Sequence, residues 1–360
     1  MKNVCFFNSV KFWGGGEKLH LEYALGFRKN NYKVFISGSK NSELLKRAEL
    51  ENLNLFDIEI GNLSFLNPFK LIKFIQFLKR EKIDTIIFSI STDSKFAGIA
   101  AKLAGINRIV YLRGLAAPIS NSLINRILFK YFLTHIVANS EETKKMILKN
   151  LHQKNLADKI KVVYHGIDLQ VPNIIAKNKF ILENSSGIVL ANAGRLTPQK
   201  GHDYLLQIAK ELKDADVDFT LFIAGIGELK YHLETKIKEL QLEKEVYLMG
   251  FVEDMESFMS AIDIFLSTSV WEGFGYVLVE AMKHSKPCIA FDISSNPEII
   301  KANETGYLIP FPDVTEFANK IKLLASDENL RKKMGENARL DALKRFKINE
   351  RIDEFISVIY

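Results

Sequence analysis

Short apolar runs alternate with segments of helical spacing along residues 1–169. The apolar runs predict strands at residues 3–8, 33–38, 85–89, 108–112 and 135–138. Apolar residues that recur every three or four positions predict intervening helices, such as those at residues 17–29 and 42–51. Buried strands separated by helices are typical of a parallel sheet that is covered on both faces. Residues 1–169 are therefore predicted to form a Rossmann-like α/β domain.

The same alternation returns at residue 188 and continues to residue 346. Strands are predicted at residues 188–193, 219–224, 246–249, 264–267 and 288–290, with helices at 201–213, 228–240, 314–325 and 328–346. Residues 170–187 contain Pro172, several Asn and Lys residues and a Ser-Ser-Gly sequence, which is typical of an exposed linker. The fold class predicted is thus α/β, with two doubly wound parallel-sheet domains. An amphipathic helix at residues 347–360 is predicted to pack back onto the first domain.

The composition is that of a globular protein and does not favour a membrane-spanning or secreted protein. The 360 residues are 47% hydrophobic and 26% charged, which suits two domains that each have a substantial core. No apolar run approaches the roughly 20 residues of a membrane span, and the N-terminal segment has no signal-peptide pattern. A cytoplasmic location is therefore expected. Cys5 and Cys288 fall in predicted strands and are expected to be core thiols, and the seven histidines show no metal-binding spacing.

Charge is distributed unevenly along the chain. Residues 1–180 contain 28 Lys and Arg against 14 Asp and Glu, whereas residues 181–360 contain 21 against 29. A basic half indicates a polyanionic partner, and nucleic acid is not expected because no nucleic-acid-binding motif accompanies the charge. The basic segments 68–82 and 121–132 also have apolar residues at helical spacing. They suit peripheral binding to the inner face of an anionic cytoplasmic membrane, or equally core-packed helices with solvated basic faces.

Four loops are expected to meet at one edge of the second sheet. Ligands of doubly wound sheets bind beyond the carboxyl ends of the strands. Those ends contain Gly194 and Arg195, Gly225 to Glu228, Gly250 and Phe251, and Trp271 and Glu272. We expect the four loops to converge on one ligand.

The sequence EGFGYVLVE, from residue 272, is the most informative segment of the chain. Glu272 precedes Gly273-Phe274-Gly275, which is predicted to open a helix whose first N–H groups can bind an anion, and Glu280 follows two turns later. The predicted buried stripe of this helix is Phe274, Val277, Leu278, Ala281 and Met282. Both carboxylates therefore suit a nucleotide-sugar site. The alternative is a helix cap at Glu272 and a solvated Glu280.

Two further groups have residue types that bind phosphate. Arg195 and Lys200 lie five residues apart after a strand, where a planar guanidinium and an ammonium can both reach one diphosphate. Alternatively, they are two solvated cations. Gly14-Gly15-Gly16 follows the first strand and precedes a helix, so the backbone there can come close to a ligand, unless it is simply a flexible turn.

Seven motifs, in order, give the chain a resemblance to a known family. They are GGGE at Gly14, VANSEETK at Val137, VYHGID at Val163, GRLTPQKG at Gly194, IAGIGE at Ile223, GFVED at Gly250 and EGFGYVLVE at Glu272. With them the chain resembles the retaining glycosyltransferases of family 4, which have the GT-B fold. The resemblance implies two Rossmann-like domains that face each other across a cleft, an acceptor-binding first domain and a C-terminal helix that crosses back. It also implies a nucleotide-sugar donor held mainly by the second domain, with no cofactor and no metal.

The resemblance also implies a role for individual residues. Arg195 and Lys200 would bind the donor diphosphate, Glu280 the ribose and Glu272 the hydroxyls of the donor sugar. The backbone around Gly273, Phe274, Gly275, Tyr276 and Val277 would join them, with Gly225, Phe251 and Val252 around the nucleoside and Gly15 and Gly16 near the donor phosphates or the acceptor. Where many relatives have a histidine at the end of a first-domain strand, this chain has Arg113. A cation there suits a leaving phosphate or an anionic acceptor.

The predicted activity is retaining transfer of a sugar, with a UDP-sugar favoured as donor. The acceptor expected is a lipid-linked or cell-envelope glycan, such as a precursor of lipopolysaccharide or capsule. Arg195, Lys200, Glu272 and Arg113 are the residues predicted to act in the reaction. The alternatives are a nucleotide-sugar epimerase or phosphorylase on the same fold, and a non-catalytic nucleotide-sugar-binding membrane scaffold.

Overall fold

The computed structural model describes residues 2–151, 155–170 and 178–360 and separates the chain into two compact units. The first unit is Met1–Gly166 together with Ile348–Tyr360, and the second is Ile167–Lys347. Each unit is a parallel sheet with helices on both faces. The predicted class, two doubly wound α/β domains, is confirmed.

The first unit contains a seven-stranded sheet with the order β3-β2-β1-β4-β5-β6-β7. Its strands are β1 (Asn3–Asn8), β2 (Lys33–Gly38), β3 (Asn54–Asp57), β4 (Thr85–Phe88), β5 (Arg108–Arg113), β6 (His135–Ala138) and β7 (Ile160–Val162). Its helices are α1 (Gly15–Lys29), α2 (Glu43–Leu50), α3 (Pro68–Arg80), α4 (Ser91–Ala104), α5 (Leu123–Ile127), α6 (Glu141–Asn150), α7 (Leu156–Lys159) and, from the end of the chain, α16 (Ile348–Ile359).

The second unit contains a six-stranded sheet with the order β10-β9-β8-β11-β12-β13. Its strands are β8 (Ile188–Ala193), β9 (Phe219–Ala224), β10 (Val246–Gly250), β11 (Ile264–Ser267), β12 (Cys288–Phe291) and β13 (Gly306–Ile309). Its helices are α8 (Lys179–Asn184), α9 (His202–Asp214), α10 (Lys230–Glu239), α11 (Met255–Ala261), α12 (Tyr276–Lys283), α13 (Asn296–Ile299), α14 (Val314–Ser326) and α15 (Glu328–Arg345).

The sheet of the first unit has a separate apolar core on each face. Helices α3, α4 and α6 cover one face, where Phe74, Phe96 and Ile147 are buried. Helices α1, α2 and α16 cover the other face, where Tyr23 and Phe355 pack with their ring centroids 5.2 Å apart. The last helix of the chain is therefore part of the first unit's core.

Side-chain caps explain where several helices begin. Asn67 accepts a hydrogen bond from the N–H of Lys70 at 3.1 Å, and Pro68 occupies the first position of α3, where no intrahelical N–H bond is lost. Ser140 accepts one from the N–H of Thr143 at 3.0 Å at the start of α6. These caps follow directly from the Ser and Asn residues that precede each apolar periodic segment.

Three strands were not predicted, because none of them is a long apolar run. The edge strand β3 is mostly exposed, β7 has only three residues, and β13 begins at a glycine. Apolar periodicity identifies buried strands, so short or exposed edge strands escape it. The prediction of strands at the centre of each sheet is confirmed.

Two predicted segments differ from the structure. Within the predicted linker 170–187, residues 171–177 lie outside the described residues, but Lys179–Asn184 forms α8. Ile181 anchors this helix because its side chain is fully buried. The basic segment 121–132 is not one α-helix: α5 ends at Ile127 and continues as a π-helical segment, Leu128–Phe132.

The prediction of two core thiols is confirmed, since Cys5 and Cys288 are both buried and free. Burial raises the pKa of each thiol well above its usual range, which leaves both unreactive. Across the helices that the structure describes, we find none long and apolar enough to cross a membrane.

Candidate active site

The four predicted loops lie side by side at the carboxyl edge of the second sheet. The N–H of Gly225 donates to the carbonyl of Gly250 at 2.7 Å, and the N–H of Leu196 donates to the carbonyl of Ile226 at 3.0 Å. On the other side, the N–H of Val270 donates to the carbonyl of Gln199 at 2.8 Å. Backbone hydrogen bonds therefore join the loops after β10, β9, β8 and β11 in sequence.

Glycine at position 225 is required by this close approach. Its φ angle is +149°, and a Cβ atom there would lie 1.8 Å from the carbonyl oxygen of Gly194. Any side chain would force the loops after β8 and β9 apart. Packing within the second unit therefore explains why the IAGIGE motif has a glycine at position 225.

Lys200 and Glu272 form an ion pair between two of these loops. Their side chains are only 16% and 9% exposed. The Ser269 hydroxyl donates to the same carboxylate oxygen at 2.7 Å. The backbone of Glu272 is also fixed, because the Ser294 hydroxyl donates to its carbonyl at 2.6 Å. The sequence suggested two independent ligand contacts, whereas the structure joins the two side chains in one charged pair.

Arg195 differs from Lys200 in its surroundings. Its side chain is exposed and forms no ion pair with any residue that the structure describes. Its backbone is nevertheless held, since the carbonyl accepts the N–H of Thr197 at 2.8 Å. A guanidinium on a fixed backbone, with its donors free of protein carboxylates, suits an anionic ligand.

Helix α12 begins at Tyr276, and Gly273, Phe274 and Gly275 before it are buried. The N–H of Tyr276 donates to the carbonyl of Phe274 at 2.8 Å, which tightens the turn. The predicted buried stripe is wrong at one position, because Val279 is fully buried while Val277 is half-buried. Leu278, Ala281 and Met282 are buried as predicted.

The remaining predicted residues of the second unit are more accessible. Glu280 is half-buried on α12. Phe251 follows Gly250 and is 64% exposed, while Val252 is half-buried. An aromatic ring so exposed beside the converging loops offers a flat apolar surface to a ligand.

At the carboxyl edge of the first sheet, Gly15 and Gly16 start helix α1 and are exposed. A Cβ atom at either position would meet no atom within 4 Å. Neither glycine has a positive φ angle. Within the described part of the chain, neither crowding nor backbone conformation therefore requires glycine there, and close approach of a ligand stays a prediction.

Arg113, at the end of β5, is a buried cation with only 6% of its surface exposed. Its guanidinium donates to the Tyr111 hydroxyl at 3.0 Å and to the carbonyl of Ala117 at 3.2 Å. Its Nε atom has no hydrogen-bond partner, and no carboxylate of the described chain pairs with it. Burial of an unneutralised cation is costly, so this site suits an anion.

Sequence reasoning missed a buried acid that, like Arg113, interacts with Tyr111. Asp93, in the first turn of α4, is fully buried and accepts hydrogen bonds from Ser9. Burial raises its pKa to about 7, although the hydrogen bonds from Ser9 oppose the shift. The available signal was an acidic residue in the first turn of a helix that follows a strand. Such acids are common because they interact favourably with the helix dipole, so the signal alone does not indicate a functional carboxylate.

Three buried histidines were also not predicted to be core residues. Burial lowers the pKa of His20 and His202 to about 4, and that of His165 to about 3. All three are therefore neutral at physiological pH. Within the ranges described, no group of three or more His, Cys, Asp or Glu side chains is arranged to hold a metal ion.

Two protein-family models match the chain. The model described as Glycosyltransferase Family 4 matches residues 13–171, and the one described as Glycosyl transferases group 1 matches residues 173–341. The first covers most of the first unit, and the second covers nearly all of the second unit. Together they confirm the resemblance inferred from the seven motifs.

Two curated relatives match most of the chain. One is UDP-Gal:alpha-D-GlcNAc-diphosphoundecaprenol alpha-1,3-galactosyltransferase of Escherichia coli, 28% identical over 313 residues, which are 81% of this chain and 79% of the relative. The other is N-acetylgalactosamine-N,N'-diacetylbacillosaminyl-diphospho-undecaprenol 4-alpha-N-acetylgalactosaminyltransferase of Campylobacter jejuni, 28% identical over 287 residues and 75% of each chain.

A solved structure supports the fold independently. The Anabaena Alr3699/HepE structure in complex with UDP and glucose aligns with a TM-score of 0.84 at 23% identity, over 99% of this chain and 100% of that one. At this identity the likeness shows the fold alone. The two parallel-sheet units are those of the GT-B class.

Proposed function

Because the chain belongs to glycosyltransferase family 4, we propose that it transfers a sugar from a UDP-sugar to a lipid-linked cell-envelope glycan, with retention of anomeric configuration. The observation that carries the proposal is the Lys200–Glu272 pair beside the exposed Arg195, on loops joined by backbone hydrogen bonds. Two relatives named for diphosphoundecaprenol-linked substrates support a lipid diphosphate acceptor, and one of them is named for UDP-Gal as donor.

In the proposed mechanism, Arg195 and Lys200 bind the diphosphate of the donor. The bond between the anomeric carbon and the phosphate oxygen breaks, and a new bond forms to the acceptor oxygen on the same face of the sugar. The acceptor proton passes to the departing phosphate oxygen. Positive charge beside that oxygen stabilises the transition state more than the bound donor, which is how it accelerates transfer. In this proposal, neither a metal ion nor a cofactor takes part in the step.

The other predicted residues orient the donor in this proposal. Glu272 accepts hydrogen bonds from sugar hydroxyls while it holds Lys200, and Glu280 accepts them from the ribose. Phe251 stacks on the base, with Gly225 and Val252 beside it, because an exposed ring gains by covering a flat aromatic ligand. The backbone from Gly273 to Val277 lies against the sugar.

A transfer assay tests this function. Purified protein would be given a panel of labelled nucleotide sugars together with a lipid-diphosphate-linked monosaccharide, and the products separated by chromatography. We expect one UDP-sugar to be consumed, with an α-linked product from an α-linked donor. Donor turnover without acceptor would instead indicate an epimerase, and dependence on free phosphate a phosphorylase. Binding of a nucleotide sugar without any turnover would favour the scaffold alternative.

Arg113 is expected to bind an anionic group of a substrate. We expect Arg113→Gln to lower kcat/KM by about 100-fold, the size of effect seen when one preorganised donor to a transition state is lost. Because the guanidinium is buried without a carboxylate partner among the described residues, its removal should leave thermal stability equal or higher. Steady-state kinetics and thermal unfolding measure the two effects. Unchanged kcat/KM, or a loss of activity that only follows a loss of stability, would contradict this role.

One face of the first unit suits an anionic membrane. Helices α3, α4, α5 with its π segment, and α6 form this basic face and contain eleven Lys and Arg against three acids, one of them the buried Asp93. Helices α1, α2 and α16 on the opposite face contain six against seven. The basic face also exposes large apolar side chains, among them Phe69 and Leu123. We propose that this face lies on the headgroups of the inner leaflet.

Vesicle sedimentation tests the basic face. At about 1 kcal/mol per lysine near an anionic surface, the double variant Lys73→Glu/Lys149→Glu should bind phosphatidylglycerol vesicles at least about 30-fold more weakly. The matched control, Lys29→Glu/Lys46→Glu, makes the same charge change on the opposite face and should bind as the wild type does. Equal weakening by both pairs would mean that net charge, rather than this face, determines binding. Tight binding to neutral vesicles would exclude an electrostatic origin.

A further inference from the structure

Asp93 is a buried carboxylate that makes no ion pair with any described residue. Its two oxygens accept hydrogen bonds from the N–H of Ser9 at 3.2 Å and from the Ser9 hydroxyl at 2.6 Å. The charged and titratable groups that face it are the Glu17 carboxylate on α1 and, on β5, the Tyr111 hydroxyl, to which the Arg113 guanidinium donates. A buried, unpaired carboxylate is destabilising unless hydrogen bonds compensate it, so both donors of Ser9 are bound tightly.

Strand β1 ends at Asn8, and Ser9 is the first residue of the glycine loop, defined here as residues 9–16. Its carbonyl accepts the Ser39 hydroxyl at 2.7 Å, so the residue is held from two sides. The preceding Asn8 accepts the N–H of Val10 at 2.9 Å and donates to Glu17 at 3.1 Å, beyond the far end of the loop. Buried polar groups therefore fix both ends of the loop, while Gly15 and Gly16 between them are exposed.

We propose that Asp93 is a positioning residue whose ionised carboxylate fixes Ser9 and so holds the glycine loop in its substrate-binding conformation, and that protonation of Asp93 weakens substrate binding. An ionised carboxylate accepts at both oxygens, whereas a protonated one must use an oxygen as donor and cannot satisfy both Ser9 groups in the same way. A pKa near 7 puts this change within the working range of the protein. His20 and His165, in the same unit, are already neutral there, because burial lowers their pKa values to about 4 and about 3.

This inference rests on the proposed function, together with the expectation that Gly15 and Gly16 of the glycine loop lie near the donor phosphates or the acceptor. Two measurements separate the two ideas. The first needs no substrate: the protection factors of the loop amides, which compare the measured exchange rate with the intrinsic rate at the same pH, should be about tenfold lower in the wild type at about pH 6, where Asp93 is protonated, than at about pH 8. In Asp93→Asn the exchange, corrected for intrinsic pH dependence, should be fast at both values.

The second measurement is the pH profile of transfer. In the wild type we expect KM to rise about tenfold below pH 7 while kcat changes little, since the loop binds substrate without taking part in bond cleavage. Asp93→Asn and Ser9→Ala should show the raised KM at every pH, and Asp93→Glu should restore part of the pH dependence. The matched control is Ser94→Ala, a buried serine in the same helical turn that bonds only to its own helix. It should behave as the wild type.

A purely structural role would predict that Asp93→Asn lowers the unfolding temperature. We expect the opposite: because burial raises the pKa of Asp93, its ionisation destabilises the folded state as pH rises, so Asp93→Asn should unfold at an equal or higher temperature at about pH 8. Loss of affinity in a protein of undiminished stability would then come from the loop. If loop exchange and KM are both unchanged in Asp93→Asn and Ser9→Ala, the proposal is wrong. If the exchange responds but no sugar is transferred, the positioning role stands and the proposed function fails.

Discussion

Replacing Lys200 by methionine is expected to lower kcat by about 10²–10³-fold, the range measured when one preorganised hydrogen-bond donor to a transition state is removed. The same change should also destabilise the second unit. Glu272 would keep only the Ser269 hydroxyl as partner for a carboxylate that is 9% exposed. Breaking a fully buried pair costs about 3–5 kcal/mol, and the partial exposure of Lys200 reduces this to about 1–3 kcal/mol. Single-turnover kinetics and urea unfolding measure the two losses.

A double variant separates catalysis from stability at this site. Lys200→Met/Glu272→Gln removes both charges, so unfolding free energy should return to within about 1 kcal/mol of the wild type. Activity should stay low, because the cation that stabilises the departing diphosphate is still absent. Arg195→Gln provides the comparison, since the exposed Arg195 can lose activity without losing stability. Recovery of activity in the double variant would show that the pair is structural only.

Mild acid is expected to destabilise both units through their buried histidines. Each has a folded-state pKa well below the unfolded value of 6.5, so the unfolded chain binds more protons and stability falls as pH decreases below about 6.5. Between about pH 7.5 and pH 5, each histidine should remove about 2 kcal/mol. The first unit, with His20 and His165, would thus lose about 4 kcal/mol and the second, with His202, about 2 kcal/mol.

Asp93 acts in the opposite direction, because its folded-state pKa is raised. The stability that it contributes is present at low pH and is lost as pH rises from about 4 towards 7. From about pH 7.5 to pH 5 its protonation therefore returns about 2–3 kcal/mol to the first unit. Urea unfolding of the wild type and of Asp93→Asn at both pH values tests this balance. The variant should lose more stability in acid, and equal losses would mean that Asp93 is not held with a raised pKa.

The sequence predicted the alternation of strands and helices well, and the loops at the strand ends with it. Buried central strands such as β8 are continuous apolar runs, and their ends fix which residues reach the carboxyl edge of a parallel sheet. The motif order around Gly194, Gly225, Gly250 and Glu272 then sufficed to indicate the family. Edge strands such as β3 were not predicted, because an exposed strand does not contain the continuous apolar run by which buried strands are recognised.

The charge pairing of the site could not be predicted from the sequence. Lys200 and Glu272 are 72 positions apart, and Ser9 and Asp93 are 84 apart. Local periodicity has no information on such contacts, since they depend on which loops adjoin after the sheet has formed. Burial of individual polar residues was missed for the same reason. From the sequence alone, a single histidine on an amphipathic helix, such as His20, would be predicted to be exposed, whereas the structure buries it.

The position of α16 has a consequence for biosynthesis. The chain leaves the first unit at Gly166, builds the whole second unit and returns only with Ile348–Tyr360. Until those residues emerge from the ribosome, Tyr23 and Phe27 lack the Phe355 ring that covers them. The second unit, although synthesised later, can finish folding earlier, because all of its strands and helices emerge before α16. A polypeptide truncated before Ile348 would thus have a first unit that still displays open core surface to chaperones and proteases.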